Sequence, residues 1–459
     1  MSDNLLITPP VRSTYRPSRR AVVGGGIGIA GVAAAVGTGL LRPGGTAGPL
    51  APRAQAAHLL RRAGFAPSGP EVDVALHAGL PATIDTLLHP ERVDDSALEQ
   101  RLRADNFDLT KIEQLRRWWL VRMAVTRRPL VEKMTLFWHS LLTSSYRKVG
   151  KDHVLMTTQN EFLRAHALGN IRDLLIGISK DGAMLKWLDG TGSSKAHPNE
   201  NYARELMELF TMGVGHYSET DVRELARALT GWYVGPGGTV EFRARAHDGG
   251  SKTFLGRTGN FGLEEAIDII LAQPATPRHL ATRMWEFFAF PSPSDRDIQP
   301  LVDAYQRSGH DVRAMMSALL NSPSFHSPEA YRALVKSPVE LVAGVSRQLK
   351  LSLDVNASNA MEAMGQGLFD PPNVAGWPGG ADWLGTGGWM ARARWLLALS
   401  ATPTTSASLS DLDSAVRLLA DGNLSAGARA VIADHLRASG SARGDLFFLV
   451  TASPEYQLA

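Results

Sequence analysis

The chain has 459 residues, 44% of them hydrophobic and 20% charged, the composition of an ordinary folded body large enough for one extended core or two. It contains no cysteine, which excludes disulfide scaffolds, cysteine-ligated zinc, iron–sulfur clusters and a cysteine nucleophile. The formal charge of +3 is unevenly placed: residues 1–56 carry six arginines and one acid, leaving 42 basic against 44 acidic residues in the body, so a nucleic-acid partner is not expected.

Residues 1–56 read as an export leader and linker. Arg16-Pro17-Ser18-Arg19-Arg20 precedes a stretch without charge, Ala21 to Leu41, so a positive segment is followed by an apolar one. The adjacent Arg19 and Arg20 after Ser18 resemble the twin-arginine export signal, with Val22 and Val23 where that signal usually has Phe and Leu. Seven glycines between residues 21 and 41 dilute the hydrophobicity, which suits an exported leader better than a permanent membrane helix. The expectation is an exported protein, periplasmic, extracellular or held at the cell envelope, that meets a membrane only through an uncleaved leader. Export by this route moves folded proteins, often around a cofactor, and raises the expectation of a bound metal.

Residues 57–459 are predicted to form one all-α, multi-helical domain. Apolar residues recur at three- and four-residue spacing, and Ser or Thr is followed three residues later by an acid at Ser68/Glu71, Ser96/Glu99, Thr110/Glu113, Ser218/Asp221, Ser294/Asp297 and Ser337/Glu340. Proline opens further helices at Pro129, Pro198, Pro277 and Pro338, where its missing N–H costs nothing.

Pro129 to Thr143 is apolar around most of its circumference and is therefore predicted to be buried. Glu132 and His139, seven residues apart, share one face of it, so each must be paired, hydrogen-bonded or bound to something. The helix predicted from His197-Pro198 to Gly213 gathers Glu200, Asn201, Arg204, Glu205 and Glu208 on one side, either as a solvated face with i, i+4 pairs or as the carboxylate-lined wall of a pocket. Val234 to Asn260 is glycine-rich with a short Thr239–Phe242 alternation, which predicts a long loop carrying at most a short hairpin. Within it, His247-Asp248 has donor types that suit metal coordination or substrate contact. A second irregular stretch, Gly365 to Gly388, contains Trp377, and the Ser/Thr-rich 402–412 reads as a surface connection to a last helical group. No established catalytic signature is present: no H-E-x-x-H, P-loop, G-x-S-x-G or paired E-x-x-H.

Several of these segments together resemble the bacterial family called domain of unknown function 1800: Ala57 to Phe65, Glu132 to His139, Asn199 to Gly213, Ala226 to Trp232, His247-Asp248, and Gly365 to Gly380. Ser140 stands where that family often has Asn, and Met212 where it often has Leu. The resemblance implies an exported, mostly helical protein without an established activity. It also implies a partner outside the cytoplasm, since the family is often encoded beside the domain of unknown function 1501 family, which resembles alkaline phosphatases and sulfatases.

Two functions follow as expectations. The first is a metal-dependent hydrolase or oxidoreductase: His139, Glu205, His247 and Asp248 hold a divalent metal, Glu132, Glu208 and Arg204 act as catalytic or supporting groups, and Glu200, Asn201 and Trp377 face the substrate. The second is a non-catalytic helical scaffold or binding module for an exported partner, in which the same polar residues satisfy one another.

Overall fold

The computed structural model describes residues 50–150, 153–402, 405, 409–439 and 443–459. The arginine pair and apolar stretch of the leader, and part of the 402–412 connection, lie outside the described residues. The described chain is 61% helical, with 23 helices and two small two-stranded sheets.

The Pro129–Leu141 helix explains the arrangement of the rest. Pro129 occupies its first position, and ten of its thirteen residues are buried, as its near-continuous apolar surface requires. Leu130, Met134, Phe137, Trp138 and Leu141 enter one hydrophobic core, with the helices Ile171–Ser179, Glu200–Glu208, Glu219–Ala228, Leu263–Leu271, Ala275–Phe288, Asp295–Ser308 and Val312–Leu320. Leu136 enters a second core, with Ile112–Val125, Pro338–Leu349, Val355–Ala363 and Leu412–Leu419. The helix is thus the wall shared by both cores. Each Leu or Phe fully buried in them contributes about 1.5–3 kcal/mol relative to exposure.

Four of the predicted caps form as reciprocal side-chain and backbone bonds, at Ser68, Ser218, Ser294 and Ser337. Two do not. Asp94 and Asp108 accept from the backbone N–H of Ser96 and Thr110, both at 3.1 Å, and these turns move the helix starts to Ser96 and Ile112. The helix predicted over 197–213 is also shorter, spanning Glu200–Glu208. His197 instead pairs its backbone with Ser194 in a tight turn, and Asn199 supplies the cap by accepting from the Asn201 N–H at 2.8 Å.

The glycine-rich stretch carries two antiparallel hairpins where one at most was expected. Trp232–Val234 pairs with Val240–Phe242, and Lys252–Phe254 with Arg257–Gly259. The second turns through Leu255 and Gly256, at φ 45° and 75°, the two-residue geometry whose twist matches paired strands. Phe254 anchors it in the first core, and Asp221 accepts from the Leu255 N–H at 2.7 Å.

Candidate functional site

The residues expected to form one catalytic centre are distributed over several neighbourhoods. Glu132 is buried, and its carboxylate is fully used: Trp119 Nε1 donates to it at 2.9 Å, and Arg164 Nε and Nη2 at 2.6 and 3.1 Å. His139 is completely buried among the rings of Trp119, Phe369 and Trp377, whose centroids lie 5.3, 5.5 and 5.4 Å from its own. Neither imidazole nitrogen has a hydrogen-bond partner, and burial drives its pKa down to about 3, so the ring is neutral. Glu132 and His139 are linked through Trp119, which donates to one and sets its ring edge against the other.

On the Glu200–Glu208 helix the polar face is partly exposed, and its strongest bonds run to Tyr217 and Glu219 and not to i, i+4 neighbours. Arg204 grips Glu219 with both terminal nitrogens at 2.7 Å and lies 3.9 Å from Glu200, while Glu208 accepts from the Tyr217 hydroxyl. Glu205 is half-buried, and its carboxyl is pushed above the usual range by burial and by Glu208, against the pull of Arg204. His247 donates from Nδ1 to the Thr230 carbonyl at 3.0 Å. Asp248 receives Arg227 Nε and Nη2 at 2.7 and 3.2 Å and the Gly250 N–H at 2.8 Å, bonds that bring its pKa down to about 2. Lys252 Nζ closes the loop on the Asp248 and Gly250 carbonyls at 2.6 and 3.0 Å. The His247-Asp248 loop is therefore a clip on the Glu219–Ala228 helix.

The proposed ligand set does not assemble. Among the described residues no group of three or more His, Asp and Glu is placed to hold a metal ion, so His139, Glu205, His247 and Asp248 do not form one centre. The physical reason is that His139 is walled in by aromatic rings while Asp248 is already neutralised by Arg227.

A different feature has the dimensions of a binding site. A cleft of about 420 Å³ opens between the Ser145–Lys148 segment and residues 362–372, with Trp187 on its side. This volume falls within the range of about 300–1,000 Å³ typical of small-ligand sites. Its frame is an alternating ring of two arginines and two carboxylates. Arg116, buried, donates from Nη1 to Glu362 at 2.7 Å, from Nε to the Leu368 carbonyl at 3.0 Å, and has Nη2 3.8 Å from Asp370. Arg147, exposed, donates from Nε to Asp370 at 2.7 Å and reaches Glu362 at 3.5 Å. The Ser145 hydroxyl donates to Asp370 at 2.9 Å, and the Tyr146 N–H to the Phe369 carbonyl at 2.9 Å.

The cleft also connects to four of the predicted residues, Asn201 through Asp189, His139 through Phe369, and Glu132 and Trp377 at one further remove. Lys148 Nζ and Asn201 Nδ2 both donate to Asp189, at 2.8 and 3.4 Å, and Lys148 lies 5.8 Å from the centre of the Trp187 ring. Phe369 carries the wall inward, its ring 5.0 Å from Trp119 and 5.5 Å from His139, so that Glu132, His139 and Trp377 form the packing behind the cleft. Asp189 and Phe369 both hold left-handed backbone, φ 58° and 64°, a conformation that non-glycine residues adopt at some cost and that clusters at functional sites. Trp377 is placed by Gly376. At φ 91°, with a Cβ that would sit 2.6 Å from the Ser140 carbonyl oxygen, only glycine allows the chain to pass.

Arg116, Arg147, Lys148, Asp189, Glu362 and Asp370 were not singled out from sequence. The one available signal was the Gly365–Phe369 string, whose glycines border the cleft.

Fold and site together define a predominantly helical protein with a charged, aromatic-sided cleft on a shared structural wall. The chain belongs to the family described as "Protein of unknown function (DUF1800)", which matches residues 58–458. No curated protein and no solved structure matches it.

Proposed function

We propose that this protein is an exported, non-catalytic binding module whose cleft between Ser145–Lys148 and residues 362–372 receives a group presented by a partner protein. The observation that carries this reading is the contrast between the predicted catalytic residues and the cleft. Glu132, Arg204, Glu208 and Asp248 are each closed in pairs with Arg164, Glu219, Tyr217 and Arg227, whereas the cleft is open, sized for a ligand and framed by groups held in place from both sides. Exposed Arg147 and Lys148 offer donors at its mouth, and Trp187, Pro371 and Pro372 offer apolar surface beside them. Export rests on Arg19-Arg20 and the apolar stretch after it. No helix among the described residues is long and apolar enough to cross a membrane.

The test is co-expression of the full chain, through its native export route, with a protein of the domain of unknown function 1501 family. Expected are a metal-free complex, its loss on Trp187→Ala or Lys148→Glu, and its retention on Arg204→Ala, which lies outside the cleft. A stoichiometric metal in the purified protein that disappears on His139→Ala would overturn the reading in favour of an enzyme.

A further inference from the structure

Six cationic residues are buried where the Pro52–Arg62 helix, residues 331–340 and the C-terminal part of the chain meet: Arg61, Arg62, Lys133, Arg332, Lys336 and Arg392. Three carboxylates stand against them, buried Asp421 and Glu455 and half-buried Glu340. Arg61 donates to Asp421 and Lys133 to Glu340. Three of the others are met by neutral oxygens. Arg62 donates to the Ala289 and Ala330 carbonyls, and Arg392 to the Lys336 carbonyl at 2.6 Å and to Gln457 Oε1 at 3.0 Å. Arg332 Nη2 donates to the Ala420 carbonyl at 2.9 Å. Such dipoles solvate a cation without cancelling its charge.

The imbalance is sharpest around Asp421, the one carboxylate within charge range of Arg61, Arg332 and Lys336 together. Arg61 and Arg332 lie over the same ring, Tyr331, at 5.7 and 5.1 Å, and Lys336 Nζ lies 3.7 Å from the centre of the Tyr456 ring. Arg61 Nε and Nη2 and Arg332 Nε are buried without acceptors, as Glu455 Oε2 is without a donor, and Lys336 Nζ, in a residue 4% exposed, makes no hydrogen bond among the described residues. Glu455 is the second acid here; its Oε1 accepts from the Ser425 N–H at 3.1 Å. Three cations against two carboxylates leave a surplus of one positive charge in an interior that water reaches only narrowly. Water would accept the free N–H groups but would not neutralise it. Burial, then Arg61, drives the Lys336 pKa well down, but loss of its proton would supply one lone pair for three unpaired guanidinium nitrogens of Arg61 and Arg332.

We propose that a monovalent anion of halide size is a structural ligand of this protein, held between the unpaired N–H groups of Arg61 and Arg332 and the ammonium of Lys336. Exposure of 5% or less at all three residues favours a compact ion over a phosphate or a ligand carboxylate.

The experiment uses the full chain, exchanged into methanesulfonate buffer and titrated with chloride, bromide or phosphate at constant ionic strength. Chloride and bromide are expected to raise Tm saturably, by about 3 °C at a hundredfold excess over Kd, with no rise in phosphate. Lys336→Met should abolish the dependence and raise Tm in halide-free buffer, and crystals grown in bromide should show an anomalous peak beside Arg61, Arg332 and Lys336. If Lys336→Met does not fold, the wild-type titration and the bromide crystals decide. A wild-type Tm flat in halide, a bromide map with only water there, or an equal response to phosphate would overturn the proposal.

Discussion

The two ionic networks of this molecule use the same side chains to opposite ends. Around the cleft, Arg116 and Arg147 alternate with Glu362 and Asp370, two charges of each sign, one arginine buried and the other facing water. Around Asp421, three cations meet two acids, and none of the cations faces solvent. A balanced network open to water can exchange a partner for a ligand group with little penalty. A buried, unbalanced one cannot lose a member without leaving a bare charge. Ion pairs here are therefore to be judged by their balance and access to water before their distances.

Asp421→Asn should have the largest effect. It strands Arg61 beside Arg332 and Lys336, and a loss of about 3–5 kcal/mol is expected from denaturant unfolding, as for other broken buried pairs. A cost no larger than that of a surface pair would break the comparison. Arg116→Met comes next, with a loss of about 2–3 kcal/mol, because it removes charged hydrogen bonds from a buried position while its carboxylate partners keep Arg147.

His139→Leu should go the other way. It removes a buried ring whose two nitrogens are both unpaired, so a gain of about 1–3 kcal/mol at pH 7 is expected. The pH dependence has a definite sign. The folded ring titrates at about 3 and the unfolded one at 6.5, so between these values the unfolded chain binds a proton that the fold refuses. The contribution of His139 to stability should fall by about 1.4 kcal/mol per pH unit as pH drops below 6.5, so the gap between wild type and His139→Leu should widen by that slope, measured by urea unfolding from pH 7 to 5. Arg147→Ala should do least, well under about 1 kcal/mol, since its guanidinium is exposed and screened; the same variant is expected to weaken partner binding at the cleft, read by calorimetry.

Much of the fold was legible because its signals are local. Ser–x–x–Glu and Ser–x–x–Asp spacings, Pro129 at a helix start and the apolar girth of residues 129–143 each act within one or two helical turns. The differences are local contests too: Asn199 caps more strongly than His197-Pro198 starts a helix, and Asp94 and Asp108 take the Ser96 and Thr110 amides that Glu99 and Glu113 would accept in a capping box. The burial of Glu132 and His139 was legible from periodicity, but their partners were not. Arg164 lies 32 residues from Glu132 in sequence, and Phe369 closes on His139 from the far end of the chain. The cleft carries no local signal for the same reason. Asp370 is 225 residues from Ser145, and no spacing rule connects an exposed Arg-Lys pair to a carboxylate that distant.

Trp119 has one more property. Its indole touches His139 and Phe369, and Phe369 holds the backbone at the cleft edge, so an occupant that displaces residues 365–372 also changes the surroundings of a buried fluorophore. Intrinsic emission is then a label-free gauge of occupancy, readable in solution as the change that wild type shows and Trp119→Phe loses, since nine other tryptophans emit beside it.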